Sequence, residues 1–404
     1  MEGIMKRILS LILCFSLIAA PVLASSPADI SSAIVSTGTA ATTSTPTPSN
    51  SYNSALAGTA KSAILIEQTT GQVLYESNAD EKLPIASVTK VMTMLLAMEA
   101  LNNGTITMDT MLTCSAYAAS MGGSQVYLEP GEQMSFSDAL KAVAVASGND
   151  AAVMIAEKLA GSEGEFVKEM NNEAARLSLK NTNFVNCNGL DEDGGSGYSS
   201  ARDVSIISAE LLKYPQILPF LSIWMDSLRN GQFTLANTNK LIHSYDGANG
   251  IKTGSTAAAG YCLSASALKD GMQLIAVVLG APSTADRFSI ATNLLDYGFA
   301  NYATVPVDIS NTTVKVEKGS ATTINAVPKT ATNLVVPKAK KSQVTSEINL
   351  PKSIAAPINK SDKVGNITYK IGDQQIAEID LISDSNVSRM NWWQSFMRSL
   401  KGLV

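Results

Sequence analysis

Ser87-Val88-Thr89-Lys90-Val91-Met92-Thr93-Met94-Leu95-Leu96-Ala97-Met98 decides how this chain is read. Positions 91–98 are apolar apart from Thr93 and free of Gly and Pro, which predicts a helix buried nearly all round. If residues from Val88 onward are helical, Ser87 and Lys90 stand three apart on one face and within side-chain reach. Pro84 stiffens the approach, and Ser87 falls at the helix start, where free N–H groups favour developing negative charge. A lysine held in an apolar core loses hydration, so its pKa falls and a neutral amine becomes available as a base. His243 is the sole histidine. A Ser-His-Asp triad would have to use it, and a multi-histidine metal site cannot be built, so no metal or cofactor is expected.

Two further motifs follow in order, Ser147-Gly148-Asn149 and Lys252-Thr253-Gly254. The first closes a stretch over 136–146 in which Ala139-Leu140, Val143-Ala144 and Ala146 recur at helical spacing. Gly148 is expected to end that helix, with Ser147 and Asn149 projecting from the turn and Asp150 capping a next helix over 151–159. The second motif leads into two strands, about 260–267 and 272–280, joined by a turn at Lys269-Asp270-Gly271. A lysine and a threonine on an edge strand can bind a carboxylate, and a glycine there lets a substrate backbone come close. Each motif alone also has an ordinary structural reading, as a helix connector or a hairpin turn.

Taken together, in this order and 60 and 105 positions apart, the motifs resemble those of the penicillin-recognising serine acyl-transferases. Flanking words narrow the resemblance to the serine-type, low-molecular-weight D-alanyl-D-alanine carboxypeptidases. They are Leu83-Pro84-Ile85-Ala86, Asn186-Cys187-Asn188-Gly189-Leu190, Tyr198-Ser199-Ser200-Ala201-Arg202-Asp203 and Asn237-Thr238-Asn239. Asn188 and Ser255 stand where many relatives carry histidine. The resemblance implies an α/β (α+β) fold of the transpeptidase and β-lactamase type, with an all-helical lobe and a small C-terminal all-β domain. It implies Ser87 as nucleophile, Lys90 as base and Ser147 as proton relay. It also implies that Asn149 holds the substrate amide and that Lys252 and Thr253 hold the terminal carboxylate, beside Gly254. Backbone N–H groups of Ser87 and of Ser255 or Thr256 would form the oxyanion hole, and Arg229 is a further candidate for the carboxylate. Peptidoglycan stem peptides are the implied substrate, and β-lactams the implied covalent inhibitors.

The ends of the chain add an address. Lys6-Arg7, an apolar run over 8–20 and Pro21-Val22-Leu23-Ala24-Ser25 read as a secretory signal cut after Ala24, with an uncleaved anchor as the alternative. Residues 25–55 are rich in Ser, Thr, Ala and Pro and read as a tether. A catalytic domain is expected over 56–303 and a β domain over 304–384, from short branched runs separated by Gly, Pro, Asn and Lys. Residues 385–404 place Trp392, Trp393, Phe396, Met397, Leu400, Leu403 and Val404 at helical spacing beside Arg389, Arg398 and Lys401. Such a helix lies on a membrane surface rather than crossing it. The expected location is therefore the outer face of the cytoplasmic membrane. A formal net charge of −5 carries no nucleic-acid signature. Cys114, Cys187 and Cys262 remain after signal removal, and spacing cannot choose a disulfide among them.

Two rival functions share parts of this pattern. A class A β-lactamase needs a glutamate to activate the deacylating water, for which Glu129 is the available residue. A non-catalytic wall-binding module has no use for Ser87, Lys90 and Lys252 together.

Overall fold

Two-sided burial explains why the strand sequences are almost continuously apolar. The computed structural model describes residues 55–393 except 192–194, 196, 308–309, 311 and 331–332, together with Met397. Its central antiparallel sheet is built from β1 (Ser62–Glu67), β2 (Val73–Ser77), β3 (Ala248–Thr256), β4 (Gly260–Lys269) and β5 (Met272–Ala281), in the order β2-β1-β5-β4-β3. Side chains alternate along each strand. Ala63, Leu65, Leu263, Ala265, Leu274, Ala276 and Val278 share a core with Ile290, Ala291, Leu294 and Leu295 of α5 (Thr284–Asn301). Ile64, Ile66, Ile275, Val277 and Leu279 join the opposite core, with α1 (Lys90–Asn102) and α4 (Ala201–Leu211). Leu65 opposite Ala276 and Lys252 opposite Ser264 fix the register that puts the Lys252-Thr253-Gly254 motif on the edge strand β3.

The expected hairpin is present. Lys269 pairs with Met272, and Asp270 and Gly271 both take positive φ (50° and 74°), the geometry a two-residue hairpin loop demands. Helix α1 is buried as expected: Val91, Met92, Met94, Leu95, Ala97 and Met98 are each at most 1% exposed. Only Leu96 and the last turn, from Glu99 onward, reach partial exposure, so its first two turns need no polar stripe.

Around the second motif the structure differs from expectation. Helix Phe136–Lys141 continues through a wider, π-type turn at Ala142–Ala146. Ser147, not Gly148, then takes the left-handed conformation (φ 64°), while Gly148 has φ −55°. Helix α2 (Asn149–Ala160) starts at Asn149, followed by α3 (Glu163–Arg176). Asp150 therefore sits inside the first turn of α2 rather than ahead of it. Its carboxylate accepts from the Ala151 N–H and also from the Val126 and Leu128 N–H groups, at 3.0 and 3.1 Å for the last two. It clamps a neighbouring loop rather than merely ending a helix.

Beyond α5, strand Tyr302–Pro306 pairs with Asn333–Pro337. On the latter strand Val335 packs with the α5-side core of the central sheet and Leu334 with a separate β core, as alternation requires. That third core, including Val314, Ile324, Ile367, Tyr369 and Leu381, belongs to a six-stranded sheet. Its strand order is Val344–Asn349, Lys363–Ile371, Gln374–Ser383, Thr323–Pro328, Thr313–Glu317, Ser353–Ala355. Val387 and Arg389 still bridge to it, after which Trp392 and Trp393 are 76% and 58% exposed. The signal at 1–24, nearly all of the 25–55 tether, and tail residues 394–396 and 398–404 lie outside the described residues. Among the described residues no helix is long and apolar enough to cross a membrane. Cys114, Cys187 and Cys262 are free and buried.

Candidate active site

A short 3-10 turn (Ala86–Thr89) delivers Ser87 to the start of α1, half-buried, with Lys90 fully buried beneath it. Lys90 Nζ lies 2.9 Å from Ser87 Oγ and donates to Asn149 Oδ1 (2.5 Å) and to the Asn188 carbonyl (2.7 Å). The Asn149 amide cannot turn over, because its Nδ2 donates to the Gly122 carbonyl at 2.7 Å. Burial pushes the Lys90 amine down to about 7, against an opposing pull from Cys187, Asp150 and Glu163. About half of such a lysine is neutral at neutral pH.

The second cation, Lys252, is buried on β3, where its Nζ donates to the Thr253 carbonyl (2.9 Å). Desolvation, and then repulsion from Lys90 and Arg287, hold its amine well below the ordinary lysine range. Thr253 Oγ1 donates to Thr238 Oγ1 at 2.7 Å. No ion pair among the described residues involves Lys90, Lys252 or Arg287. Basic groups buried with no carboxylate in direct ion-pair contact favour an anionic ligand, whose charge would draw the Lys252 amine back to its protonated form.

Two glycines allow the close approach that joins these parts. A Cβ on Gly254 would stand 2.7 Å from the Ile85 carbonyl oxygen and 2.9 Å from the Ser87 and Val88 nitrogens. Gly189 has φ 81°, and a Cβ there would overlap the Ala86 carbonyl. Gly254→Ala must therefore displace the edge strand from the nucleophile turn. The expected result is acylation slowed by about 10²-fold, as for displacements of about 1 Å in other enzymes. Stopped-flow penicillin acylation beside a melting curve checks it; an unchanged rate would mean that the strand gives way without consequence.

Other expected residues stand as follows. Ser147 is buried, and its hydroxyl makes no hydrogen bond with Ser87 or Lys90. Ser255 is exposed at the end of β3. Asn149 is engaged at both ends, so holding a substrate amide requires an exchange of partners. Arg229 does not fit a carboxylate-binding role. Its guanidinium is spent on Glu132 (2.7 and 3.1 Å) and on the Val126 and Tyr127 carbonyls (2.9 and 3.0 Å). Glu132 already supplies its counter-charge, so Arg229 fastens the β-turn between strands Met225–Leu228 and Phe233–Ala236 to a neighbouring loop. His243 is exposed and stacked on Trp224, with ring centroids 5.0 Å apart. Glu129 is exposed and makes no hydrogen bond with Ser87 or Lys90.

Four contributors escaped sequence reasoning. The Asn188 carbonyl is one, although residue 188 attracted notice for its side chain. Asp150, read only as a helix cap, and Thr238, noted only within a flanking word, are the second and third, and Arg287 of α5 is the fourth. Arg287 donates from Nη1 to the carbonyls of Gly254 (3.1 Å) and Cys262 (3.4 Å), and its Nε is buried without a partner. Nothing in the local sequence of Arg287 marks it; only the fold brings it behind β3.

This geometry sets a half-buried serine against a fully buried lysine of lowered pKa, on a sheet-and-helix scaffold of the penicillin-recognising type. The D-alanyl-D-alanine carboxypeptidase (peptidase S11) model matches residues 49–283, and the penicillin-binding protein 5 C-terminal domain model matches 302–389. The chain belongs to the D-alanyl-D-alanine carboxypeptidase family. It is 44% identical over 354 residues to D-alanyl-D-alanine carboxypeptidase DacF of Bacillus subtilis, covering 86% of this chain and 90% of that one. Penicillin-binding protein 5 of Haemophilus influenzae superposes with a TM-score of 0.71 at 31% identity, over 82% of this chain and 98% of that one. Penicillin-binding protein D2 of Listeria monocytogenes, solved in an ampicillin-bound form, superposes with a TM-score of 0.53 at 34% identity, over 60% of this chain and 98% of that one. The expected fold and carboxypeptidase activity therefore stand, in preference to the lactamase and the binding module.

Proposed function

We propose that Ser87 attacks the carbonyl of the penultimate D-alanine of a peptidoglycan stem while Lys90 takes its proton. The observation that carries this is the set of neighbours around Lys90 Nζ. A neutral amine has two hydrogens and one lone pair. The Asn149 Oδ1 and Asn188 carbonyl oxygens only accept, so they take both hydrogens and leave the lone pair facing Ser87 Oγ. Ser147 passes the proton to the departing D-alanine nitrogen, and water later splits the acyl-enzyme, restoring Ser87. Lys252 and Thr253 bind the terminal carboxylate, Asn149 the substrate amide. The Ser87 N–H and that of Ser255 or Thr256 receive the oxyanion. A β-lactam would enter by the same attack. Its ring amine stays attached to the acyl group, so the adduct persists. The experiment is mass spectrometry of the penicillin-treated protein together with D-alanine release from a defined pentapeptide. An adduct on the peptide containing Ser87, with D-alanine released, is expected; rapid penicillin turnover without an adduct supports a lactamase instead.

The proposed setting is the wall side of the cytoplasmic membrane, reached by export and held by the C-terminal segment. Trp392, Trp393 and Met397 are exposed apolar side chains following the last bridges to the β sheet. Arg389, Arg398 and Lys401 add attraction to anionic lipid, on the order of 1 kcal/mol each near the surface. Deleting 392–404, beyond the Val387 and Arg389 bridges, is expected to release the protein from membranes while leaving pentapeptide cleavage within about twofold. High salt alone is expected to release only part, because apolar insertion is not screened. Fractionation of both forms checks this; a truncated form that still pellets removes the tail as the anchor.

A further inference from the structure

Glu163 lies outside every motif described above, yet its carboxylate is buried in the interior that surrounds Lys90. It opens α3, and its Oε1 accepts from the Cys187 N–H at 2.9 Å while its Oε2 accepts from the Tyr117 hydroxyl at 2.6 Å. The Cys187 carbonyl in turn accepts from Thr93 Oγ1 at 2.6 Å. The next residue, Asn188, supplies the carbonyl that holds Lys90 Nζ. Thr93 and Lys90 are one turn apart on α1, so the 187–188 backbone is gripped from α1 on one side and from Glu163 on the other. Asn186 completes the turn by accepting from the Gly189 N–H and donating to the Leu190 carbonyl.

We propose that Glu163 is a positioning residue for acylation: by fixing the Cys187 N–H it aims the Asn188 carbonyl at Lys90, and so sets which way the Lys90 lone pair points. A buried carboxylate at a helix N-terminus has a bland role in capping α3. That role is already filled by Ser162, whose hydroxyl accepts from the Glu165 N–H. Glu163 instead spends both oxygens outside its helix. It also places a negative charge among the groups facing Lys90, which are Asp150, Glu163, Cys187 and the second lysine, Lys252. The inference rests on Lys90 being the base.

The test compares Glu163→Ala and Glu163→Gln by the pH dependence of penicillin acylation, with KM for a pentapeptide and melting temperature measured alongside. Wild-type acylation rising with a midpoint near pH 7 establishes the base first; without that midpoint the mechanism itself fails, which is a separate result. Glu163→Ala leaves the Cys187 N–H unpaired, and its plateau rate is expected to fall at least tenfold, with KM changed less than threefold. Glu163→Gln keeps an oxygen acceptor and is expected to recover most of that loss. Its midpoint should nevertheless move about 0.5–1 unit to lower pH, because a charge favouring protonated Lys90 is gone. A Glu163→Ala plateau within twofold of wild type overturns the proposal, and so does a Glu163→Gln plateau as low as that of Glu163→Ala. If the alanine variant does not fold, Glu163→Asp decides: it keeps the charge but draws the carboxylate back from the Cys187 N–H, and a plateau within twofold of wild type overturns the proposal.

Discussion

Ser87→Ala is expected to abolish both covalent penicillin labelling and D-alanine release. Losing a catalytic serine costs about 10⁶-fold in kcat in a comparable serine enzyme, leaving only what binding and oxyanion contacts supply. The fold should survive the change. Ser87 is half-buried, and the hydrogen bond it shares with Lys90 is one of three at Nζ, so Asn149 and the Asn188 carbonyl still hold the amine. Non-covalent binding of the substrate carboxylate should also persist, because Lys252 and Thr253, proposed to hold it, lie on β3 and not on the turn that carries Ser87. The check is intact-protein mass after penicillin, with pentapeptide turnover and a melting curve. Retained labelling would move the nucleophile elsewhere, with Ser147 the first residue to examine.

How much of this was legible beforehand depended on the range of the interaction. The Ser87–Lys90 pair is local: three residues on a helix, buried because 91–98 carries no polar face. The β4–β5 hairpin is local too, since Asp270-Gly271 is a turn signal. What stayed hidden crosses long stretches of chain. The Asn188 carbonyl is invisible as a residue type, because any residue has one. Arg287 reads as an ordinary position on an amphipathic helix until α5 packs on the sheet behind Gly254. Arg229 failed for the opposite reason. Its proximity in sequence to β3 suggested a role in the site, whereas Glu132, far away in sequence, had already claimed its charge. At Ser147 the glycine beside it attracted the left-handed turn on local propensity. The π-type turn before it and the packing of α2 impose that conformation on serine instead. A non-glycine residue held there stores strain of order 1–3 kcal/mol, a common mark of functional positions.

Lys90→Arg is expected to lower acylation by at least about 10³-fold at every accessible pH, because a guanidinium stays protonated and has no lone pair to offer. The wild-type profile gives the contrast. Burial brings Lys90 down to about 7, so below that pH the rate should fall roughly tenfold per unit as the amine protonates, and above it level off. The arginine variant should show no such limb. The same shift bears on stability, with a definite sign. A lysine whose folded pKa lies near 7 rather than at its ordinary 10.5 binds fewer protons folded than unfolded between those values. Its contribution to stability therefore improves as pH rises through that window. Arginine would carry a permanent charge into a site where Lys90 is fully buried, and some of the loss could then reflect misfolding. Lys90→Met separates the two causes. It fills a similar volume without charge, should fold without the share of the pH dependence that Lys90 contributes between 7 and 10.5, and should be equally inactive. An arginine or methionine variant that acylates at near wild-type rate would mean that the proton goes elsewhere. His243, stacked on Trp224 and exposed, would then have to reach Ser87 in some other arrangement of the chain.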